Sequence, residues 1–129
     1  MSIDHAGRAR ALVGTRFRLQ GRGAGGLDCV GVAMATFDVP ADAARRDYRA
    51  RGDHEAEVRE FLARSFRRVS LRELRAGDLM LMRVAADQLH MAVRTDAGFV
   101  HAHAGLRKVV ETPGMPEWPL LAVYRKRSR

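Results

Sequence analysis

The sequence predicts an α+β fold in one domain, and three observations carry that reading. The chain has 129 residues, a length that fits one domain of ordinary size. Its first half places apolar residues at helical spacing. From Gly77 onward the character changes to short apolar runs separated by turn residues, the pattern of strands. Helices first and strands afterwards is the order of an α+β arrangement. Residues 1–129 are therefore read as a single domain in which N-terminal helices pack on an antiparallel β-sheet.

The elements follow in order. Over 3–13, Ile3, Ala6, Ala9, Leu12 and Val13 fall near one side of a helix, and Gly14 ends it. A loop rich in Gly and Arg, GTRFRLQGRGAGG, comes next. A second helix starts at Asp28 or Cys29. Its buried stripe is Val30, Ala33, Met34 and Phe37, at i, i+3, i+4 and i+7. Asp28 suits the N-cap, Cys29 then lies in the first turn, and Pro40 marks the end of the segment. The stretch EAEVREFLARSFRRV predicts a third helix with Val58, Phe61, Leu62, Phe66 and Val69 inside and its arginines in solvent. Ser70 and Glu73 form a capping box for a short helical turn. LMLMRV, LHMAVRT, GFVHAHA, LRKVVE and LLAVYRK are the strands, with a hairpin turn over Asp96, Ala97 and Gly98.

Composition excludes several classes of function. At 47% hydrophobic residues the chain can build a core without disulfide support. With one cysteine no internal disulfide can form. The N-terminus lacks the continuous apolar stretch of a signal peptide, and no stretch approaches the roughly 20 apolar residues of a membrane span. The expectation is synthesis in a reducing compartment, the cytoplasm, without membrane insertion. The formal charge of +8, nearly all from arginine, suits an anionic partner. The arginines are dispersed and do not alternate with aromatics, so specific nucleic-acid binding is not expected.

Chemistry gathers around GLDCVGVAMATF, residues 26–37. A helix N-terminus carries partial positive charge and favours a thiolate there. A nearby histidine completes an activated nucleophile. Of the five histidines, His5 and His54 lie in polar helical surroundings and are set aside. His90 opens an apolar strand. His101 and His103 share the next strand at i and i+2, so they face one side of the sheet. His90 and His101 flank the turn at 96–98, which brings them to neighbouring positions on paired strands. A cysteine on a helix tip, one histidine to take its proton and a polar group to orient that histidine form a catalytic set. The residue types leave two other readings open. A lone cysteine is commonly a small buried hydrophobe. Cys29, His90, His101 and His103 are also chemically capable of holding zinc, although no CxxC or HExxH spacing supports a metal.

The residues also carry a resemblance. GTRFRLQG, LDCVGV, LRAGDLMLM, LHMAV, GFVHAHAG and PEWPLLAVYR resemble, in family order and over nearly the whole chain, the NlpC-type cysteine peptidases. These are papain-like enzymes that cut the peptides of bacterial cell wall. The chain more closely resembles the branch encoded with phage tails. DCVG alone is a weak signal, whereas DCVG followed by GDL, His-x-Ala-Val and FVHA is specific. The resemblance implies Cys29 as nucleophile, His90 as general base and His101 as the polar member that orients the base. It implies His103 as a pocket residue or alternative orienter, and the Cys29 backbone N–H as a donor to the oxyanion. The implied reaction is amide hydrolysis through a thioester, typically between γ-D-glutamate and the diamino acid of the stem peptide, with no cofactor and no metal.

Two departures bear on substrate recognition. Phe17 stands where the family often has tyrosine, and Val30 where serine often follows the nucleophile. Asp28 matches the family's acidic residue, which caps the helix, contacts a substrate amine, or does both. Phe17, Asp28, Val30 and His103 are the expected substrate-binding residues. Without a signal peptide or wall-binding repeat, delivery on a phage-like tail, in contact with tail proteins, is the economical expectation. A tail-tip structural protein with an idle triad is the alternative, and an enzyme acting on a different acyl substrate is a third reading.

Overall fold

A computed structural model describes residues 3–17, 22–23, 26–39, 55–86 and 88–127. It contains α1 (His5–Arg10), β1 (Arg22–Gly23), β2 (Gly26–Leu27), α2 (Cys29–Phe37), α3 (Glu55–Ser65) and β3 (Phe66–Val69). After a 3-10 turn at Leu71–Glu73 come β4 (Leu79–Ala85), β5 (Gln88–Arg94), β6 (Gly98–His103), β7 (Lys108–Pro113) and β8 (Leu120–Lys126). The expected α+β arrangement is present. Six strands in the order β3-β8-β4-β5-β6-β7 form one sheet, antiparallel at every pairing.

Local chemistry explains the element ends. Asp4 caps α1 by accepting from the Gly7 amide at 2.9 Å. Asp28 does the same for α2 through Gly31 at 2.8 Å. Such side-chain acceptors satisfy amides that the helix itself leaves without a partner. Asp38 closes α2 in the left-handed conformation, its N–H reaching the Met34 carbonyl. Ser70 and Glu73 form the expected capping box. The hairpin at 95–98 is held by Thr95 N–H to the Gly98 carbonyl, 2.9 Å, and Gly98 N–H to Thr95 Oγ1, also 2.9 Å.

Strand alternation sorts the core into two layers. Leu79, Leu81, Met91, Val93, Val100, Ala102, Val109, Ala122 and Tyr124 pack with α2 residues Val32, Ala33, Met34 and Phe37, and with Leu62 of α3. Met80, Met82, Ala92 and Phe99 form a second cluster under Leu74, Trp118 and Leu120. Full burial of each Leu, Val, Met or Phe stabilises by roughly 1.5–3 kcal/mol, so the first layer fixes α2 on the sheet.

Several expectations need correction. Ile3 and Val13 are 56% and 46% exposed, because α1 spans only His5–Arg10 and buries Ala6 and Ala9. In α2, Gly31, Val32 and Thr36 are buried along with Ala33, Met34 and Phe37. The helix is therefore enclosed on more than one stripe. FRRV is not the end of a helix but β3, paired with β8 from Phe66↔Lys126 to Val69↔Val123. Phe66 and Val69 are buried on either side of two exposed arginines; that i, i+3 spacing is helical, and in the strand it puts the two side chains on opposite faces. Part of the Gly/Arg loop is ordered as the β1–β2 pair. His5 is half-buried, its ring 4.7 Å from that of Phe37. Pro40 and His54 lie outside the described residues.

Candidate active site

α2 presents Cys29 as its first residue, with Asp28 as the N-cap. The Asp28 carboxylate is buried and is turned onto the helix amide of Gly31. That orientation reconciles an acidic residue with a neighbouring thiol, since the carboxylate is held by the positive end of the helix. Cys29 itself is partly exposed.

The histidines come from the sheet. The β5–β6 ladder pairs Val93 with Val100 and Arg94 with Phe99. His90 and His101 lie beyond that stretch and are joined through their rings: His90 Nε2 is 2.9 Å from His101 Nδ1. On its other side His101 Nε2 lies 3.0 Å from the Thr112 hydroxyl. His101 is 2% exposed. Trp118 covers the group, its ring 5.7 Å from that of His90 and 6.0 Å from that of His101.

Burial, reinforced by electrostatic repulsion from His101 and His103, pushes the pKa of His90 down to about 3. Burial and His103 push His101 down to about 4. Both imidazoles are therefore neutral at pH 7, and each has one donor and one acceptor nitrogen. If His90 Nε2–H donates to His101 Nδ1, His101 carries its proton on Nε2 and donates to Thr112 Oγ1. His90 Nδ1 is then an unprotonated acceptor. The opposite tautomers reverse every bond and place a proton on His90 Nδ1. Only the first arrangement gives His90 a lone pair with which to take a proton from a nucleophile.

A pocket of about 280 Å³ joins these groups. It opens at the end of the sheet where β4 finishes, β5 begins and β6 ends. Phe17, Asp28, Cys29, His90, His101 and His103 all line it. Val30 packs instead against the main core and is not among the lining residues. His103 is not bonded to His90. Its Nδ1 accepts from the Leu106 amide at 3.1 Å, which shapes the 104–107 turn beside the pocket. No cluster of metal-ligating side chains is present among the described residues.

Sequence reasoning missed Trp118, Gln88, Leu89 and Thr112. Trp118 stands within PEWPLLAVYR, and a tryptophan beside a strand that follows two histidine strands is a reasonable pocket candidate. Thr112 was legible only through the β6–β7 register, which pairs Phe99 with Thr112 and His101 with Val110. Thr112 is thus the diagonal neighbour of His101 on the same face.

No family model matches the sequence, and no curated protein matches it. Solved structures do. NlpC1 from Trichomonas vaginalis superposes with a TM-score of 0.69 at 15% identity, over 97% of this chain and 44% of that one. An NlpC/P60 family protein from Bacillus cereus gives 0.60 at 18% identity, over 95% and 39%. The peptidoglycan hydrolase RipB from Mycobacterium tuberculosis gives 0.59 at 21% identity, over 95% and 62%. The chain spans less than two thirds of the length of each. At these identities the likeness establishes architecture: the chain has the fold of the NlpC/P60 proteins.

Proposed function

We propose that the protein is a cysteine peptidase that hydrolyses an amide bond in the stem peptide of peptidoglycan. The observation that carries this is the His90–His101 hydrogen bond at 2.9 Å in a pocket shared with a cysteine at a helix N-terminus. The fold shared with a peptidoglycan hydrolase supports the choice of substrate class.

The chemistry runs in two halves. His90 Nδ1 takes the proton of Cys29 Sγ as the sulfur attacks the amide carbonyl. Charge develops on the carbonyl oxygen, and the start of α2 is suited to stabilise it through backbone N–H groups. The tetrahedral species collapses, the C–N bond breaks, and His90 returns the proton to the leaving amine. Water then attacks the thioester with His90 again as base, which releases the acid and regenerates the thiol. His101 accepts from His90 Nε2–H throughout, so the imidazolium formed in each half is held and oriented.

The bond we assign is γ-D-glutamyl to diamino acid. Delivery on a phage-like tail for local wall opening during genome delivery is part of the same proposal. Phe17, Asp28 and His103 line the pocket and are proposed substrate contacts. Val30, packed on the core, would act through the position of the helix start. Incubation with stem peptides of defined sequence tests the reaction, and detection of the chain in purified particles tests its place. A chain absent from every particle overturns the tail assignment and leaves the peptidase reading standing.

A further inference from the structure

We propose that Thr112 is a positioning residue for this site: its hydroxyl supplies the buried acceptor that His101 Nε2–H needs, and so makes available the His101 tautomer in which His90 can act as a base. The inference rests on the peptidase reading given above and adds a fourth residue behind the cysteine and the two histidines.

The geometry has three parts. His101 bridges two partners, His90 at 2.9 Å through Nδ1 and Thr112 at 3.0 Å through Nε2. His101 is 2% exposed, so a ring nitrogen that loses its partner has little water to replace it. Thr112 is fixed by the sheet. It pairs with Phe99, and its neighbour Pro113 pairs with Gly98. The strands approach so closely there that a Cβ on Gly98 would sit 1.8 Å from the Thr112 carbonyl oxygen.

The consequence is electronic as well as steric. When His90 becomes an imidazolium, its Nε2–H must find an acceptor on His101 Nδ1. The His101 proton must then reside on Nε2, and that buried N–H requires an acceptor of its own. Thr112 Oγ1 provides it. The hydroxyl can also donate and so suits either tautomer, but without it the Nε2–H form buries a donor with no partner and is disfavoured. Conversion of His101 to the Nδ1–H form would leave His90 with its proton on Nδ1, the form that cannot accept from Cys29.

Thr112→Val keeps the β-branched shape and removes the hydroxyl. Thr112→Ser keeps the hydroxyl. On a stem peptide, Thr112→Val should lower kcat roughly tenfold, the scale of one buried hydrogen bond, with KM unchanged, and Thr112→Ser should recover most of the loss. Nitrogen-15 spectra of the histidine rings should show His101 protonated on Nε2 in the wild type and in Thr112→Ser, and redistributed toward Nδ1 in Thr112→Val. If Thr112→Val does not fold, Thr112→Ala reads the same quantities. Unchanged ring spectra in Thr112→Val overturn the inference, as does a Thr112→Ser variant as impaired as Thr112→Val. If no form hydrolyses any stem peptide, the peptidase reading fails, and the spectra alone still decide whether Thr112 sets the tautomer.

Discussion

His90 Nε2 and His101 Nδ1 lie 2.9 Å apart, although the backbone ladder between their strands is formed only at Val93↔Val100 and Arg94↔Phe99. A side-chain bond thus continues the contact between β5 and β6 where the ladder stops, at the end of the sheet that holds the pocket. The relationship separates the two histidines by role. His90 is half-buried at the pocket, whereas His101 is nearly inaccessible and held from both sides.

His90→Ala should therefore cost more activity than His101→Ala. Loss of a general base typically costs roughly 10²–10⁴-fold. Loss of the orienting ring leaves His90 present but free to adopt the wrong tautomer, a smaller effect. Steady-state kinetics on one stem peptide compares them, and equal or reversed losses would exchange the two assignments.

Asp28→Ala should lower stability by about 1 kcal/mol, the usual effect of an N-cap, and slow hydrolysis through displacement of Cys29. Asp28→Asn retains an acceptor for the Gly31 amide and should recover the stability. Chemical denaturation of the three forms provides the check. An Asp28→Asn variant as unstable as Asp28→Ala would show that charge, rather than the cap bond, is what the fold uses.

Acidification should destabilise the protein. His90 and His101 have folded pKa values of about 3 and about 4, below their ordinary value of 6.5. His5 is shifted in the same direction, chiefly by burial. The unfolded chain therefore binds more protons than the folded one as pH falls through 6.5, and stability rises with pH across that window. The contribution is complete above about 6.5 and is lost progressively as pH falls through about 4 for His101 and about 3 for His90. Tm should fall between pH 7 and pH 5, and His101→Asn should flatten that fall. A Tm that is level or higher at pH 5 contradicts the shifts.

Asp78→Ala should be among the most destabilising single changes outside the pocket. The Asp78 side chain is 2% exposed and forms a fork with Arg125 through Nε at 2.8 Å and Nη2 at 2.9 Å. It also accepts from the Arg75 amide at 3.1 Å. Removal of the carboxylate leaves the partly exposed Arg125 with only the Glu73 carbonyl and solvent, a loss of charge-assisted hydrogen bonds that costs about 1.5–3 kcal/mol. Urea midpoints measure this directly. A change within experimental error would mean that Arg125 finds water or a new partner.

The order of helices and strands, the Asp28 cap and the grouping of Cys29 with the three sheet histidines were legible in the sequence. Each depends on local chemistry or on a hairpin short enough to count residues across. Thr112 and Trp118 were not legible to the same degree, because their contact with His101 depends on strand register and on the path of the chain after β7. β3 was not legible because Phe66 and Val69 stand three apart, the spacing of a helical stripe and not of strand alternation. Its pairing with β8 is a long-range contact that no local pattern encodes. Val30 packs partly buried against the core, as the helical spacing of Val30, Ala33, Met34 and Phe37 implies.

The most direct test of the central claim compares the wild type with Cys29→Ala on purified peptidoglycan stem peptides, with products read by mass spectrometry. Cleavage is expected from the wild type alone, with fragment masses that place the cut between γ-D-glutamate and the diamino acid. Because Cys29 is partly exposed, Cys29→Ala should unfold at nearly the wild-type temperature. Cleavage by a folded Cys29→Ala protein at the wild-type rate would contradict the thiol mechanism. Inactivity of both forms, free and in the assembled particle, would contradict the peptidase reading and favour a tail component with an idle site.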